Sequence, residues 1–323
     1  MPDRTAEVTS FLVEVLAPHA PLTVIVDGGD HGAAAAFAAR LAAAFPPSAR
    51  AWAVDAVVGL TGFPGGARDS ALDVLEPAAD HVIVHLRTGP RGRLGEGERR
   101  AQVVIDHQDP RWPVIRHVHP RLAAPEQWYL AESRAFFEIR AEAWDDKFGE
   151  DLPAYGRAVE AAGLSPGETV IDVGCGTGRA LPVLAAAAAP GGRVIGLDLT
   201  PRMLAEARRK GRDAAATLLM GDAHHLPIAG SVADVVFAAG LLQHLPDAAA
   251  GLAELARIAR AGARLVLFHP SGRAALAARH GRTLGAGEPL NRPILADLLA
   301  GAGWQMTHYE DPDDHFLALA VRR

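Results

Sequence analysis

Three glycines at alternate positions, Gly174, Gly176 and Gly178, follow an acid, Asp172, that stands two residues before the first of them. Glycines so spaced let the backbone turn sharply and approach a ligand that any Cβ would displace. The carboxylate beside the turn repels a pyrophosphate and suits a cationic group. A dinucleotide fingerprint, G-x-G-x-x-G, spaces its last two glycines one residue further apart. The stretch therefore predicts a nucleotide-type ligand that carries positive charge.

The elements that must position these residues can be read around them. Val170–Val173 is a short apolar run with the acid embedded, and a helix-compatible run, 180–189, follows the turn. Strand, glycine turn and helix in that order open a nucleotide-binding crossover. S-adenosylmethionine (SAM) has both a sulfonium and an ammonium, so the alternation favours it over NAD. The stretch Val170–Arg179 resembles motif I of the class I SAM-dependent methyltransferases, and the similarity runs from about Phe136 to Arg323. A second strand, Arg193–Leu197, ends at Asp198, where a carboxylate can accept both ribose hydroxyls. Thr200 reads as an N-cap with Pro201 at the first helical position, and Leu199 and Met203 are placed to flank an adenine ring. A third strand, Thr217–Met220, leads into Gly221-Asp222-Ala223, and the resemblance implies that Asp222 accepts from the adenine amino group. The adjacent His224 and His225 are expected to point apart and so not to chelate. A fourth strand, Asp234–Ala238, ends in Ala239 and Gly240, small enough for the methionine end of SAM to approach. Cys175, lying between two glycines, reads as a packing residue of the cofactor turn rather than a nucleophile.

Loops at the carboxyl ends of such strands face the acceptor. His244, after the fourth strand, and His269, after the fifth (Arg264–Phe268), are the candidate general bases. Glu132 to Phe148 reads as one helix with Phe137, Trp144 and Phe148 on a face, and the resemblance implies a lid over the cofactor. Ser271–Arg282 reads as a helix whose Arg273, Arg279, Arg282 and His280 could read an acceptor. Trp304–Tyr309 and His315–Val321 close the sheet as an antiparallel pair. The expected fold is α/β, a Rossmann-like seven-stranded methyltransferase sheet.

The first half repeats the strand, glycine turn, helix order at Leu22–Val26, Asp27–Gly32 and Ala33–Ala44. It resembles the start of P-loop kinases of the uridine-kinase type, whose first strand ends in an Asp-Gly pair. The Gly-Lys-Ser/Thr positions hold Ala33, Ala34 and Ala35 instead, so the phosphate lysine and the magnesium hydroxyl are missing. The resemblance implies a degenerate P-loop domain. Further strands are expected at Ala51–Val58, His81–Leu86 and Gln102–Ile105, with turns at Thr61–Gly66 and Thr88–Gly92. Asp106-His107-Gln108-Asp109-Pro110 reads as a polar turn rather than a metal site, and no metal is expected. The domains expected are 1–122, a linker and lid helix at 123–150, and 151–323.

The chain has 323 residues, a net charge of −6, 22% charged and 6% aromatic residues, and a single cysteine. This is the composition of a soluble globular protein. Without a basic tract or an aromatic platform, nucleic acid is not an expected partner. No apolar run approaches the roughly 20 residues of a membrane span, and the expected location is the cytoplasm. Homodimerisation is left open. The function expected is transfer of a methyl group from SAM to O, N or C of a small-molecule acceptor, releasing S-adenosylhomocysteine (SAH). The alternatives are a regulatory SAM- or nucleotide-binding protein and a SAM-using enzyme of non-methylating chemistry such as cyclisation.

Overall fold

The computed structural model describes residues 3–19, 23–45, 54–56, 81–88, 101–148, 151–214, 216–279, 284 and 288–323. The turns expected at Thr61–Gly66 and at 89–92, the outer parts of the strand at Ala51–Val58, and His280 and Arg282 lie outside them. The chain divides into two compact units, one built on Met1–Glu132 and the other on Ser133–Arg279 and Thr283–Arg323.

The first unit contains α1 (Arg4–Leu16), β1 (Thr23–Gly28), α2 (His31–Ala44), β2 (Val54–Ala56), β3 (His81–Arg87), β4 (Val103–Asp106) and β5 (Val114–Val118). The strand order is β2-β1-β3-β4-β5, parallel except for β5, which runs antiparallel to β4. Its core joins the apolar stripe of α1 (Val8, Leu12, Leu16) to Phe37 and Leu41 of α2 and to Val24, Val84 and Ile105 of the sheet. Asp3 and Asp30 cap the two helices through side-chain bonds to Ala6 and Ala33. At the carboxyl ends of β1 and β3, His85 Nδ1 lies 2.7 Å from Asp27 Oδ1.

The second unit follows from α3 (Tyr129–Glu138), within which the division falls, and α4 (Trp144–Phe148). The single helix expected over Glu132–Phe148 is two, interrupted at 139–143. There Arg140 folds back, with its guanidinium 3.9 Å from the Phe136 ring centroid and Nη1 bonded to the Phe136 carbonyl. Next come α5 (Leu152–Ala162), β6 (Thr169–Val173), α6 (Leu181–Ala188), β7 (Arg193–Asp198), α7 (Pro201–Arg209), β8 (Thr217–Met220), β9 (Ala233–Ala239), α8 (Ala248–Ile258), β10 (Ala259–His269), α9 (Arg273–Arg279), α10 (Arg292–Gly301), β11 (Trp304–Glu310) and β12 (Phe316–Arg322). The helix expected from Ser271 thus begins at Arg273. The sheet order is β11-β12-β10-β9-β6-β7-β8, with β12 antiparallel to both of its neighbours and the other pairs parallel. The strands β6, β9 and β10 are apolar on both faces because helices cover both. One face packs Val170, Phe237 and Phe268 on Tyr155, Leu181 and Leu184. At the edge of the sheet Trp304 is fully buried and donates its indole N–H to the Leu252 carbonyl. No helix among the described residues is long and apolar enough to cross a membrane.

The strand order fixes where a ligand can enter. From β6 the chain builds outward through β7 and β8, then returns to place β9 on the other side of β6. This reversal opens a crevice at the carboxyl ends of β6 and β9, the position where open α/β sheets bind ligands.

In the first unit Arg4 is buried and forms an ion pair with buried Glu132, which also accepts the Ile115 N–H at 2.6 Å. Burial pushes the Glu132 carboxyl up, against the downward pull of Arg4. Breaking such a pair strands a charge in the core, so Arg4→Ala should destabilise this unit by about 3–5 kcal/mol, and Arg4→Met with Glu132→Leu should recover most of that. Denaturant unfolding of the three chains checks this, and equal midpoints for parent and Arg4→Ala would refute it.

Candidate functional site

The crevice is built from the glycine turn upward. Gly174, Gly176 and Gly178 all have positive φ (74°, 55° and 77°), which only glycine adopts freely. The N–H groups of Gly174 and Cys175 both donate to the Leu197 carbonyl at 2.8 Å, which pins the turn to the end of β7. A Cβ on Gly174 would lie 3.1 Å from Leu241 Cδ1, and one on Gly178 would lie 2.9 Å from Leu181 Cδ1. Gly174 and Gly178 thus sit where a Cβ would crowd its neighbours, whereas at Gly176 the space is open and the positive φ alone favours glycine.

Two carboxylates stand at this turn. Asp198, ending β7, accepts the Gly176 N–H on Oδ2 (2.9 Å) and the Thr200 N–H on Oδ1 (2.7 Å). These two bonds leave further lone pairs free for a ligand. Burial pushes this carboxyl up and the two amides pull it down, leaving it above its ordinary value. Asp172, within β6, is 1% exposed, and its Oδ1 has no hydrogen-bond partner. Burial, with the nearby Asp198 charge adding to it, pushes the Asp172 carboxyl up to about 8. A buried acid left unsatisfied in this way invites a cationic donor.

The other expected residues fall around the same edge. Leu199 is half-buried and its carbonyl accepts Arg134 Nε at 3.2 Å, while Met203 is buried. The Cys175 thiol points into the sheet: a Cβ on Gly196 would touch Sγ at 3.0 Å, and burial pushes the thiol well up. It packs and is no thiolate. Thr200 occupies the N-cap position of α7 without a side-chain cap bond. Asp222 accepts the His224 N–H at 3.1 Å, and the adjacent Ala223 is buried. The two histidines do not point apart. His224 Nδ1 and His225 Nδ1 lie 3.4 and 3.7 Å from the Asp222 carboxylate, because the segment is a turn and not a strand. No group of three ligating side chains that could hold a metal exists among the described residues.

On the acceptor side, Phe137 of α3 meets Trp144 of α4 at 5.7 Å between ring centroids and the His244 ring at 5.2 Å. Gly240, at the end of β9 next to Ala239, has φ 68°, and a Cβ there would lie 3.7 Å from both His269 Cδ2 and Gln243 Nε2. Burial holds the His269 imidazole below its ordinary value, hence neutral, and its Nδ1 lies 2.9 Å from the Ser271 carbonyl oxygen. Arg273 has partners inside the fold: Tyr309 Oη at 3.0 Å, Asp311 at 3.6 Å and Glu288 at 3.9 Å. Beside it, a Cβ on Gly272 would fall 1.7 Å from the Pro312 carbonyl oxygen.

Sequence reasoning missed Tyr155 and Arg179, which stack beside Asp172 with the guanidinium carbon 5.1 Å from the ring centroid. It also missed Asp145, Thr177 and Arg212, which join α4 to the glycine turn. The signal for Thr177 was its place inside the glycine triplet, while Arg212 offered none.

The state of Asp172 has a measurable consequence. The folded chain keeps this group neutral up to pH about 8, and the unfolded chain ionises it near 4. Its contribution to stability is therefore complete below pH about 4 and is lost as pH rises towards 8. Asp172→Asn cannot ionise, so the denaturant midpoint of the parent should fall relative to this variant between pH 5 and 8. Parallel pH profiles would refute it.

Comparison with known proteins places this geometry. Residues 171–267 match the family described as methyltransferase domain. A 37.1 kDa protein of transposon TN4556 from Streptomyces fradiae is 41% identical over 113 residues, 35% of this chain and 33% of that one. Demethylmenaquinone methyltransferase of Beutenbergia cavernae is 38% identical over 109 residues, 34% of this chain and 43% of the enzyme. Malonyl-[acyl-carrier protein] O-methyltransferase of Serratia marcescens is 40% identical over 103 residues, 32% and 38% of the two chains. The chain thus spans well under half the length of each of these relatives. A SAM-dependent methyltransferase from Aquifex aeolicus shares the fold, with a TM-score of 0.50 and 22% identity over 58% of this chain and 98% of that one. Residues 171–267 thus match the methyltransferase-domain family in sequence, and the second unit shares the fold of a SAM-dependent methyltransferase.

Proposed function

We propose that the second unit binds SAM at the β6/β9 crevice and transfers its methyl group to O, N or C of a small-molecule acceptor, releasing SAH. The observation that carries this reading is the buried, unpartnered Oδ1 of Asp172 at the glycine turn. The residues fit such a group. Asp198 would take the ribose hydroxyls, Asp172 the ammonium, Leu199 and Asp222 the adenine, and Gly174, Gly176, Gly178 and Ala239 would let it approach the backbone. When bound, SAM supplies an electrophilic methyl for in-line displacement.

The chain's own part is alignment and the exclusion of water. Phe137 and Trp144 cover the acceptor side. His269 is neutral, and its Nδ1 faces both the Ser271 carbonyl oxygen at 2.9 Å and the Ser271 N–H at 3.1 Å; in the tautomer that donates Nδ1–H to the carbonyl, Nε2 is the atom that would take a proton from an acceptor hydroxyl. His244, held edge-on by Phe137, would orient that acceptor. Three relatives are named for methylating demethylmenaquinone, malonyl-[acyl-carrier protein] and arsenite, which supports a small acceptor group.

For the first unit we infer a P-loop-like scaffold without phosphoryl transfer, occupying about residues 1–122. In support, Asp30 caps α2 through the Ala33 N–H at 3.0 Å and so places a carboxylate where a phosphate would sit.

Calorimetry of the intact chain with SAM, SAH, NAD and ATP tests the ligand. SAM and SAH should bind, and Asp198→Ala should weaken both by about ten- to a hundred-fold, the range for hydrogen bonds to a charged acceptor. NAD binding tighter than SAM would overturn the reading. Because the ammonium favours ionised Asp172, SAM affinity should rise from pH 6 to pH 8, with a proton released on binding. Heats measured in buffers of different ionisation enthalpy detect that proton, and Asp172→Asn should abolish it.

A further inference from the structure

Asp145, in the short helix α4, reaches the glycine turn from the acceptor side. Its Oδ1 accepts the Thr177 hydroxyl at 2.6 Å, and its Oδ2 pairs with Arg212 Nη2 at 2.7 Å and Lys210 Nζ at 3.5 Å. Arg212 Nη1 also donates to the Thr177 carbonyl at 2.8 Å, so three segments far apart in the chain share one knot. The Asp145 side chain is 12% exposed and Thr177 is 1% exposed, which shields the knot from water and strengthens its bonds. Burial pushes the Asp145 carboxyl up, yet Thr177 and Arg212 outweigh it and hold the group below its ordinary value. It is therefore ionised at neutral pH.

Thr177 stands between two residues that serve the cofactor turn. On one side, the Gly176 N–H is bonded to Asp198. On the other, Gly178 has no side chain, and a Cβ there would lie 3.3 Å from Arg212 Cβ. On the lid, Asp145 follows Trp144, whose ring packs on Phe137, which packs on His244. A continuous run of contacts thus leads from the Asp198 carboxylate through Thr177 and Asp145 to the acceptor-side rings.

We propose that Asp145 is a positioning residue that latches the aromatic lid to the glycine turn through Thr177, so that release of the cofactor requires this latch to open. The inference rests on the SAM-binding reading above and adds its gate. The latch forms only when the turn holds Thr177 in place, and the turn is held by the carboxylate that takes the ribose. Lid closure is thereby tied to the state of the cofactor site, with Arg212 neutralising the charge that Asp145 brings.

Stopped-flow dissociation of SAH from the intact chain tests this, with Asp145→Ala, Thr177→Val, Thr177→Ser and the Asp145→Ala/Thr177→Val double variant. Each of the first two should speed dissociation by about ten- to a hundred-fold, as for a lost hydrogen bond to a charged group. The double variant should be no faster than Asp145→Ala alone, because that substitution already removes the Thr177 bond together with the Arg212 and Lys210 pairs. Thr177→Ser keeps the hydroxyl and should match the parent. Amide hydrogen exchange at residues 139–148 should quicken in the two fast singles with SAH bound. If SAM turnover is followed on an identified acceptor, KM for SAM should rise more than kcat falls. Parental dissociation rates in folded Asp145→Ala and Thr177→Val would overturn the latch, as would additive effects with Thr177→Ser as fast as Thr177→Val. Failure of the parent to bind SAH would instead overturn the cofactor reading, and the latch with it.

Discussion

Two carboxyl groups buried side by side at the ends of neighbouring strands set the terms for the second unit. Burial opposes ionisation of both, and the Asp198 charge further opposes that of Asp172. Asp198 escapes part of the penalty by accepting two backbone amides, and that acceptance shapes the glycine turn. Asp172 has no such relief on Oδ1. Burial holds Asp172 neutral, and a cationic guest is the kind of ligand that would favour its ionised form.

The chain contains two strand, glycine turn, helix openings, and the contrast between them is physical. In the first, Asp30 caps α2 through its side chain, so the Ala33 amide at the helix start is already occupied by the protein's own carboxylate. In the second, Ala180 precedes α6 with no side-chain cap, and the amides of the turn are bonded to Leu197 and Asp198 instead. One opening is closed upon itself. The other presents unused acceptor capacity to whatever enters.

The glycine turn and its flanking acids were readable in the sequence because their information is local. A positive φ demands glycine, and a strand end needs only a period and a stop. The strand at Thr217–Met220 and the turn at Asp222 were legible for the same reason. What the sequence hid depends on distance along the chain. Arg212 and Asp145 meet Thr177 from opposite directions across more than thirty residues, and neither belongs to a recognisable pattern. The break in the lid helix at 139–143 contains no proline or glycine, so local preference favours continuing the helix, and only Arg140 turning back on Phe136 marks the interruption. Arg273 looked like a free cation on a helix, but its partners Glu288, Tyr309 and Asp311 come from later segments. The paired approach of His224 and His225 to one carboxylate was hidden because alternation applies to strands and fails in a turn.

The near-contact of Gly272 with the Pro312 carbonyl bears on how this scaffold could be altered. The Gly272 N–H is also bonded to the Asp313 carbonyl at 3.0 Å, so the strap after His269 and the tip between β11 and β12 are welded along their backbones. Side chains at the tip can be exchanged without disturbing that weld, whereas Gly272 admits no replacement. In this hairpin, the exposed Asp313 and Asp314 side chains are the part open to exchange, and the backbone at Gly272 is the part that is fixed.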